Sequence, residues 1–362
     1  MVVYITCFLV TMAFSYLFLH YKQSLKGSKF SKTLDYKIYV FIFFLIVIFP
    51  LWFITAFRYD VGTDYFNTYV KYFEHTSLGW MPYKHEPLFQ LLNSVLVAFQ
   101  ASYVWLFAIS GFIILSLIFY YIFKYSPKPL YSIAVFICSA FFFNSLNNVR
   151  QYIAIAIAIV GFSQKNSIKA IIIMLIAMLF HLTAGFYILL YVIIKFILNR
   201  SVHKKKFIIL SFILLLATPI GCIALKKLIL LTPYAYFLET EQAGYSVMII
   251  LVNLFIYIFT LFYYDNKDKQ FQNLAFIQLI TVICCICSIF LQNEEMWMRI
   301  IRMPSIFQLI LLPKIILREK DRTSRFILAG LLLLVYSIYT LYTVYFNGGL
   351  EVFPYQFVFG NI

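Results

Sequence analysis

Apolar runs long enough to cross a bilayer recur from one end of this chain to the other. The stretch VFIFFLIVIFPLWF at 40–53 is representative, and no charged residue occurs between Val40 and Phe57. A helix needs about 17–25 such residues to span roughly 30 Å of hydrocarbon. Over the 362 residues, 63% are hydrophobic and 12% charged, with a mean hydropathy of +0.89. A water-soluble domain could not bury that much apolar surface. The runs do not alternate with period two, which argues against a transmembrane barrel. The expected fold class is therefore all-α, a polytopic integral membrane helical bundle forming one domain over 1–362. Val2 to Leu19 has neither a preceding basic region nor a following small-residue cleavage site, so it reads as a retained helix and not a signal peptide.

Crossings are expected at about 3–20, 38–57, 103–123, 130–147, 150–163, 169–181, 182–198, 207–223, 246–264, 271–291, 303–317 and 326–346, about 12 in all. Glu86 to Phe99 is too short for a confident span and is read as a re-entrant or interfacial helix. With the N-terminus outside, this arrangement puts Arg58, Lys71, Lys84, Arg150, Lys226, Lys227, Arg299 and Arg302 on the outer side. The other 21 of the 29 basic residues then fall on the cytoplasmic side, as the positive-inside rule requires. The net charge of +15 thus orients helices and does not imply a nucleic-acid partner. The six cysteines show no CxxC framework or metal spacing and read as small buried hydrophobes.

Against this apolar background the outward polar groups stand out. FRYDVGTDYFNTY at 57–69 concentrates Arg58, Asp60 and Asp64, followed by Tyr65 and Tyr69. A local salt bridge of Arg58 with Asp60 or Asp64 would stiffen this loop, and substrate binding is the sharper reading. Glu86 precedes Pro87 and an apolar segment, so it fits a helix N-terminus, a substrate contact or a proton-transfer group. Asn144, Asn147, Asn148, Arg150 and Gln151 interrupt an apolar stretch and favour a lined polar site. A guanidinium near the membrane needs water, a carboxylate or a phosphate, and its planar fork can hold two phosphate oxygens. His181 lies between two short helices, where an imidazole, ordinarily titrating near pH 6.5, suits proton transfer or substrate orientation as well as simple packing. In NEEMWMRIIRMP, helical spacing makes Glu295 a neighbour of Arg299, and Arg299 a neighbour of Arg302, as an ion-pair network or an anion site. Glu351 and Tyr355 in the tail are less specified.

FRYDVGTDYFNTY, EPLFQLLN at 86–93, NNVRQYIAIAI at 147–157 and FHLTAGFYIL at 180–189, in this order, resemble the EpsG family, a branch of the Wzy-like polymerases of bacterial capsule and exopolysaccharide synthesis. The resemblance implies a membrane glycosyltransferase. It would join undecaprenyl-pyrophosphate-linked oligosaccharide repeats at the outer face of the cytoplasmic membrane, with lipid pyrophosphate as leaving group. It gives significance to Arg58, Asp60, Gly62, Asp64, Tyr65, Glu86, Pro87, Arg150, Gln151 and His181. On this reading Asp60, Asp64, Glu86 and His181 are the catalytic candidates. Arg58, Tyr65, Asn148, Arg150, Gln151, Arg299 and Arg302 would bind substrate or pyrophosphate, Arg150 first among the arginines. The expected partners are lipid-linked oligosaccharides, membrane lipid, and a flippase and chain-length regulator of the same pathway. No nucleotide loop or metal constellation is present in the sequence, so neither cofactor nor metal is expected. The alternatives are a lipid-linked oligosaccharide flippase or other transporter, and a related glycan ligase or O-acyltransferase.

Overall fold

The computed structural model describes residues 1–28, 31, 33–197, 201–231, 246–291, 294–346 and 348–359. Lys29, Lys32 and Arg200, assigned above to the cytoplasmic set, lie outside these residues, as do the side chains of Glu294 and Glu295. All regular elements among the described residues are helical, apart from a single isolated bridge. The chain divides into two compact units, one comprising Met1–Gly185 with Thr340–Ile362 and the other Phe186–Tyr339.

The first unit contains α1 (Val2–Ser24), α2 (Leu34–Ala56), α3 (Lys71–Ser77), α4 (Pro87–Ala98), α5 (Tyr103–Tyr125), α6 (Pro129–Cys138), α7 (Phe141–Asn147), α8 (Val149–Phe162) and α9 (Ser167–Phe180). Two helix starts are capped by side chains: Thr33 accepts from the Tyr36 N–H, and Asn166 from the Lys169 N–H. Small residues let backbones approach. A Cβ on Gly111 of α5 would lie 2.6 Å from Thr55 Cγ2 of α2, and one on Gly161 of α8 would lie 3.1 Å from the Ala170 carbonyl of α9. Between α6 and α7 the chain bends by 54° at Ala140, whose φ is +61°.

The C-terminal segment returns to the loop after α2. Tyr59 N–H donates to Gln356 O and Val358 N–H to Phe57 O, each at 2.9 Å, around the Arg58–Phe357 bridge. Gly62 N–H donates to Glu351 O at 2.9 Å, and the Tyr4 hydroxyl of α1 to Val352 O at 3.0 Å. FRYDVGT is thus held as one edge of a short extended pairing.

The second unit contains α10, which enters from Gly185 (Gly185–Val192), α11 (Lys204–Leu230), α12 (Val247–Phe262), α13 (Lys269–Leu291), α14 (Glu294–Ser305), α15 (Gln308–Arg318) and α16 (Arg322–Thr340). Its polar core is an amide network. Gln308 Nε2 donates to Asn253 Oδ1 and to Gln278 Oε1, both at 2.8 Å, and the Tyr336 hydroxyl donates to Gln308 Oε1. At one end of this unit, Asp268 pairs with Lys314 and Arg318, both at 2.9 Å, and Lys204 N–H donates to Asn266 Oδ1. Burial raises the Asp268 carboxyl, but hydrogen bonds from Lys314, the Phe271 N–H and Arg318 bring it down to about 2. These bonds gather the basic ends of α11, α13 and α15 on a common face.

Of the expected crossings, about 12, the structure supports six to eight. Among the described residues, six helices are long and apolar enough to span: Val2–Ser24, Leu34–Ala56, Tyr103–Tyr125, Lys204–Leu228, Lys269–Leu291 and Arg322–Phe346. Two bent pairs, α6 with α7 and Met296–Ser305 with α15, would bring the number to eight. The apolar runs at 150–163, 169–181, 182–198 and 246–264 instead become shorter helices. Each of α8 and α9 has 14 residues, a length of about 21 Å against roughly 30 Å of hydrocarbon. Turns at 163–166 and 181–184 separate these helices at the places where the sequence reading puts the breaks. The alternation of loop sides derived from 12 crossings does not carry over. Glu86 to Phe99 is a short helix, α4, of 12 residues.

Gln308→Leu should remove the donor to the buried Gln278 Oε1 and Asn253 Oδ1 and the acceptor of the Tyr336 hydroxyl bond. The expected loss is on the order of 1–3 kcal/mol, read from denaturant titration of the protein in detergent micelles.

Candidate functional site

Three short helices meet at Glu86. Pro87 fixes the first turn of α4, so Glu86 is the residue that enters that helix, yet its side chain does not cap it. The carboxylate instead receives Arg150 Nη1 on Oε2 at 2.5 Å and is hydrogen-bonded through Oε1 to His181 Nδ1. Arg150 stands in the first turn of α8, and His181 follows the last residue of α9. The antiparallel packing of α8 on α9 places the start of one beside the end of the other. Residues 86, 150 and 181 are thereby joined although they are far apart in sequence.

Tyrosines complete the surroundings. The Arg150 guanidinium lies 4.8 Å from the Tyr83 ring centroid, a cation–π distance, and it also reaches the Tyr69 hydroxyl. Tyr69 in turn interacts with Asp64, so this carboxylate neighbours the cluster. Tyr83 N–H donates to Gln90 Oε1 at 3.0 Å, which fixes the loop before Glu86. Among the described residues the Tyr83 hydroxyl and Arg150 Nε have no hydrogen-bond partner, and the Arg150 side chain keeps a quarter of its surface exposed. Burial raises the Glu86 carboxyl, but the His181 hydrogen bond and the Arg150 charge outweigh it and hold the group below its ordinary range. The result is an ionised carboxylate shared between a guanidinium and an imidazole, at the edge of solvent.

The other sequence candidates have different positions. Arg58 is wholly buried, with Nη1 donating to Val61 O at 3.0 Å and its guanidinium 4.5 Å from the Phe107 ring centroid. Among the described residues it has no carboxylate partner, so the expected salt bridge with Asp60 or Asp64 does not form. Burial lowers its pKa to about 10, against the opposing effect of Tyr65 and three other tyrosines. Tyr65 stacks on Phe107 at 4.7 Å and donates to Arg58 O, which makes it part of this buried clasp. Asp60 is exposed at a φ of +48°. Asn148 precedes α8 and donates to Asn144 O at 3.5 Å, while Gln151 is buried. Arg299 and Arg302 lie half-buried on α14 of the second unit. Tyr355 donates to Ile54 O, a packing role.

The sequence reading assigns no site role to Tyr69 or Tyr83, and it names Asn147 only among the amides of a lined polar site. Tyr69 and Tyr83 lie among many tyrosines, with no local signal to separate them. Asn147, three residues before Arg150, joins three segments. Its Oδ1 accepts from the Thr63 hydroxyl at 3.3 Å and the Asp64 N–H at 3.4 Å, and its Nδ2 donates to Leu350 O at 2.9 Å. Gly62 makes this possible, since its φ is +107° and a Cβ there would collide with Asn147 Oδ1. Loop, tail and the end of α7, two residues before α8, are therefore locked in one register.

Two outcomes follow from this geometry. Gly62→Ala should destabilise the protein by on the order of 1–3 kcal/mol through backbone strain and displacement of Asn147, measurable by denaturant titration. Because the Glu86 carboxyl is depressed in the folded state, its contribution is fully present above the ordinary glutamate value of about 4.3. It is lost as pH falls through the lower folded value. Thermal stability of the native protein should thus fall more steeply on acidification below about pH 4.3 than that of Glu86→Gln; parallel curves would contradict the ionised pairing.

A family model described as the EpsG family matches residues 41–357, a span that contains Arg58, Asp64, Glu86, Arg150 and His181. No curated protein and no solved structure matches the chain. The apolar helices make it a membrane protein, and family membership suggests a role like that of a polysaccharide polymerase. Since the matching span takes in both compact units and every member of the Glu86 cluster, this chain belongs to the EpsG family.

Proposed function

We propose that the protein is a membrane glycosyltransferase that polymerises undecaprenyl-pyrophosphate-linked oligosaccharide repeats at the outer face of the bacterial cytoplasmic membrane. The observation that carries this reading is the Glu86 carboxylate held between Arg150 and His181. In the reaction, a hydroxyl of one lipid-linked repeat attacks the anomeric carbon of the glycan on another. The bond from that carbon to the pyrophosphate oxygen breaks, and the electron pair leaves with the pyrophosphate. Arg150 meets the growing negative charge, where a fixed cation is most effective. His181 Nδ1 is occupied by Glu86, so Nε2 takes the hydroxyl proton and Glu86 stabilises the imidazolium. Asp64 and the Tyr69 hydroxyl offer acceptors and a donor for sugar hydroxyls beside the same centre.

The distribution of charge supports an outward site. In the first unit, Arg58, Glu86, Arg150 and His181 lie at the end of α2 and α9 and the start of α4 and α8. At the opposite helix ends lie Lys22, Lys26, Lys37, Lys124, Lys128, Lys165 and Lys169, the cytoplasmic bias of the positive-inside rule. The reaction draws on an activated donor already in the outer leaflet, so it needs a flippase to deliver repeats, with chain length set by a separate regulator.

The test is a reconstitution in lipid with undecaprenyl-pyrophosphate-linked repeats, following glycan length and released lipid pyrophosphate. Arg150→Ala and His181→Ala should each lower elongation by about 10²–10⁴-fold without loss of membrane insertion. Transport of intact repeats without elongation by the native protein would reject the assignment, as would normal elongation by both variants. Glu86→Gln should separate binding from turnover. It releases Arg150 for pyrophosphate and so tightens binding of undecaprenyl pyrophosphate, while elongation falls.

A further inference from the structure

In the second unit, two cysteines that are 65 positions apart in sequence face each other. Cys222 Sγ of α11 and Cys287 Sγ of α13 are 3.4 Å apart, and both are present as thiols. The register of the two helices explains the meeting. Their starts are docked together, with Lys204 N–H donating to Asn266 Oδ1 at 2.6 Å and Val202 N–H donating to Gln272 Oε1 at 3.0 Å. Each cysteine then lies 18 residues past the first residue of its helix, Lys204 or Lys269. The two helices run parallel, so equal distances along them bring the thiols to one level.

That level is roughly 27 Å from the docked starts, close to the thickness of the hydrocarbon. The starts carry Lys204, Lys205, Lys206, Lys267 and Lys269, joined by Lys314 and Arg318 through Asp268. They outnumber Lys226 and Lys227 at the far end of α11, which marks the docked face as cytoplasmic. The thiols therefore sit near the other face, on the side where disulfides form and persist. Apart from its contact with α13, α11 is largely exposed, with Phe212, Leu216, Ile220 and Ile223 all on its open surface. A covalent bond here would fasten a peripheral helix to one that is mostly buried.

We propose that Cys222 and Cys287 are an oxidation site at which a disulfide staples α11 to α13. The chemistry is an exchange with a disulfide donor, either a protein dithiol–disulfide or a small disulfide. Cys287, the more exposed of the two, attacks the donor as its thiolate, giving a mixed disulfide and one donor thiol. Cys222 attacks the Cys287 sulfur of the mixed disulfide and displaces the second donor thiol. Two protein thiols are thereby oxidised, the donor disulfide is reduced, and the two protons pass to the donor sulfurs. The sulfurs need only close from their present contact to about 2.05 Å. The remaining cysteines act as packing residues, as the sequence reading expects for all six.

The test is a thiol count on the full-length protein from membranes, denatured in detergent with a maleimide before any reductant, then repeated after incubation in the folded state with oxidised glutathione. Of the six cysteines, four should be labelled in the cross-linked protein and five in either Cys222→Ser or Cys287→Ser. Mass spectrometry should find the peptides of Cys222 and Cys287 joined, with the loss of two hydrogens. Reduction should lower the thermal midpoint of the native protein and leave both variants unmoved. Four labelled cysteines after glutathione treatment alone would still place the site. Six labelled cysteines in both samples, or a cross-link that joins any other pair, would overturn it.

Discussion

An ionised carboxylate inside a largely apolar chain is stable only where cations and hydrogen-bond donors replace its water. Glu86 meets that requirement by accepting from Arg150 and binding His181. Removing one partner of such a buried pair leaves an uncompensated charge, which typically costs several kcal/mol. The arrangement of α4, α8 and α9 follows from this need. Pro87 starts α4 directly after the carboxylate, Gly161 lets α9 lie close on α8, and the turn at 181 returns the chain toward Arg150.

Around this centre the same constraint is met in different ways. Arg58 has no carboxylate, yet it is tolerated because a carbonyl takes one of its nitrogens and aromatic faces cover the rest. Asn147 uses both ends of its amide, which fastens the first polar loop and the C-terminal segment to the end of α7. In the second unit, Asn253, Gln278, Gln308 and Tyr336 satisfy one another away from any charge. Most buried hydroxyls in this protein bond back to their own helix, whereas Glu86, Asn147, Asn253, Gln278 and Gln308 tie together elements distant in sequence. Their specificity in choosing partners does what apolar contacts, all alike in a lipid environment, do poorly.

The functional reading draws on this division of labour. Arg58, prominent as a charge in the sequence, acts as a clasp beneath the loop, whereas Arg150 remains partly exposed beside Glu86 and His181. The Asp64 charge acts on Tyr69 beside the cluster, and Asp60 is exposed at a positive φ. A site that handles a pyrophosphate leaving group and an attacking hydroxyl needs a cation and a proton acceptor in fixed relation. On the proposed reading, the first unit offers both at helix ends, Arg150 in the first turn of α8 and His181 just after α9.

The sequence by itself determined that the chain is helical and belongs in a membrane, because runs such as Val40 to Phe57 have no other stable home. It also puts Glu86, Arg150 and His181 among eleven candidate residues, without separating the three as a group from Arg58, Asp60 or Arg299. Only the tertiary structure decided that these three meet, that Arg58 is buried, and that Tyr69, Tyr83 and Asn147 belong with them. Hydropathy locates α8, α9 and the break between them, but at 14 residues each they are shorter than the hydrocarbon is thick, so an apolar run by itself does not establish a crossing. Which side chains face one another depends on the register of helices far apart in sequence, and that is fixed by close backbone contacts and buried hydrogen bonds that no local pattern encodes.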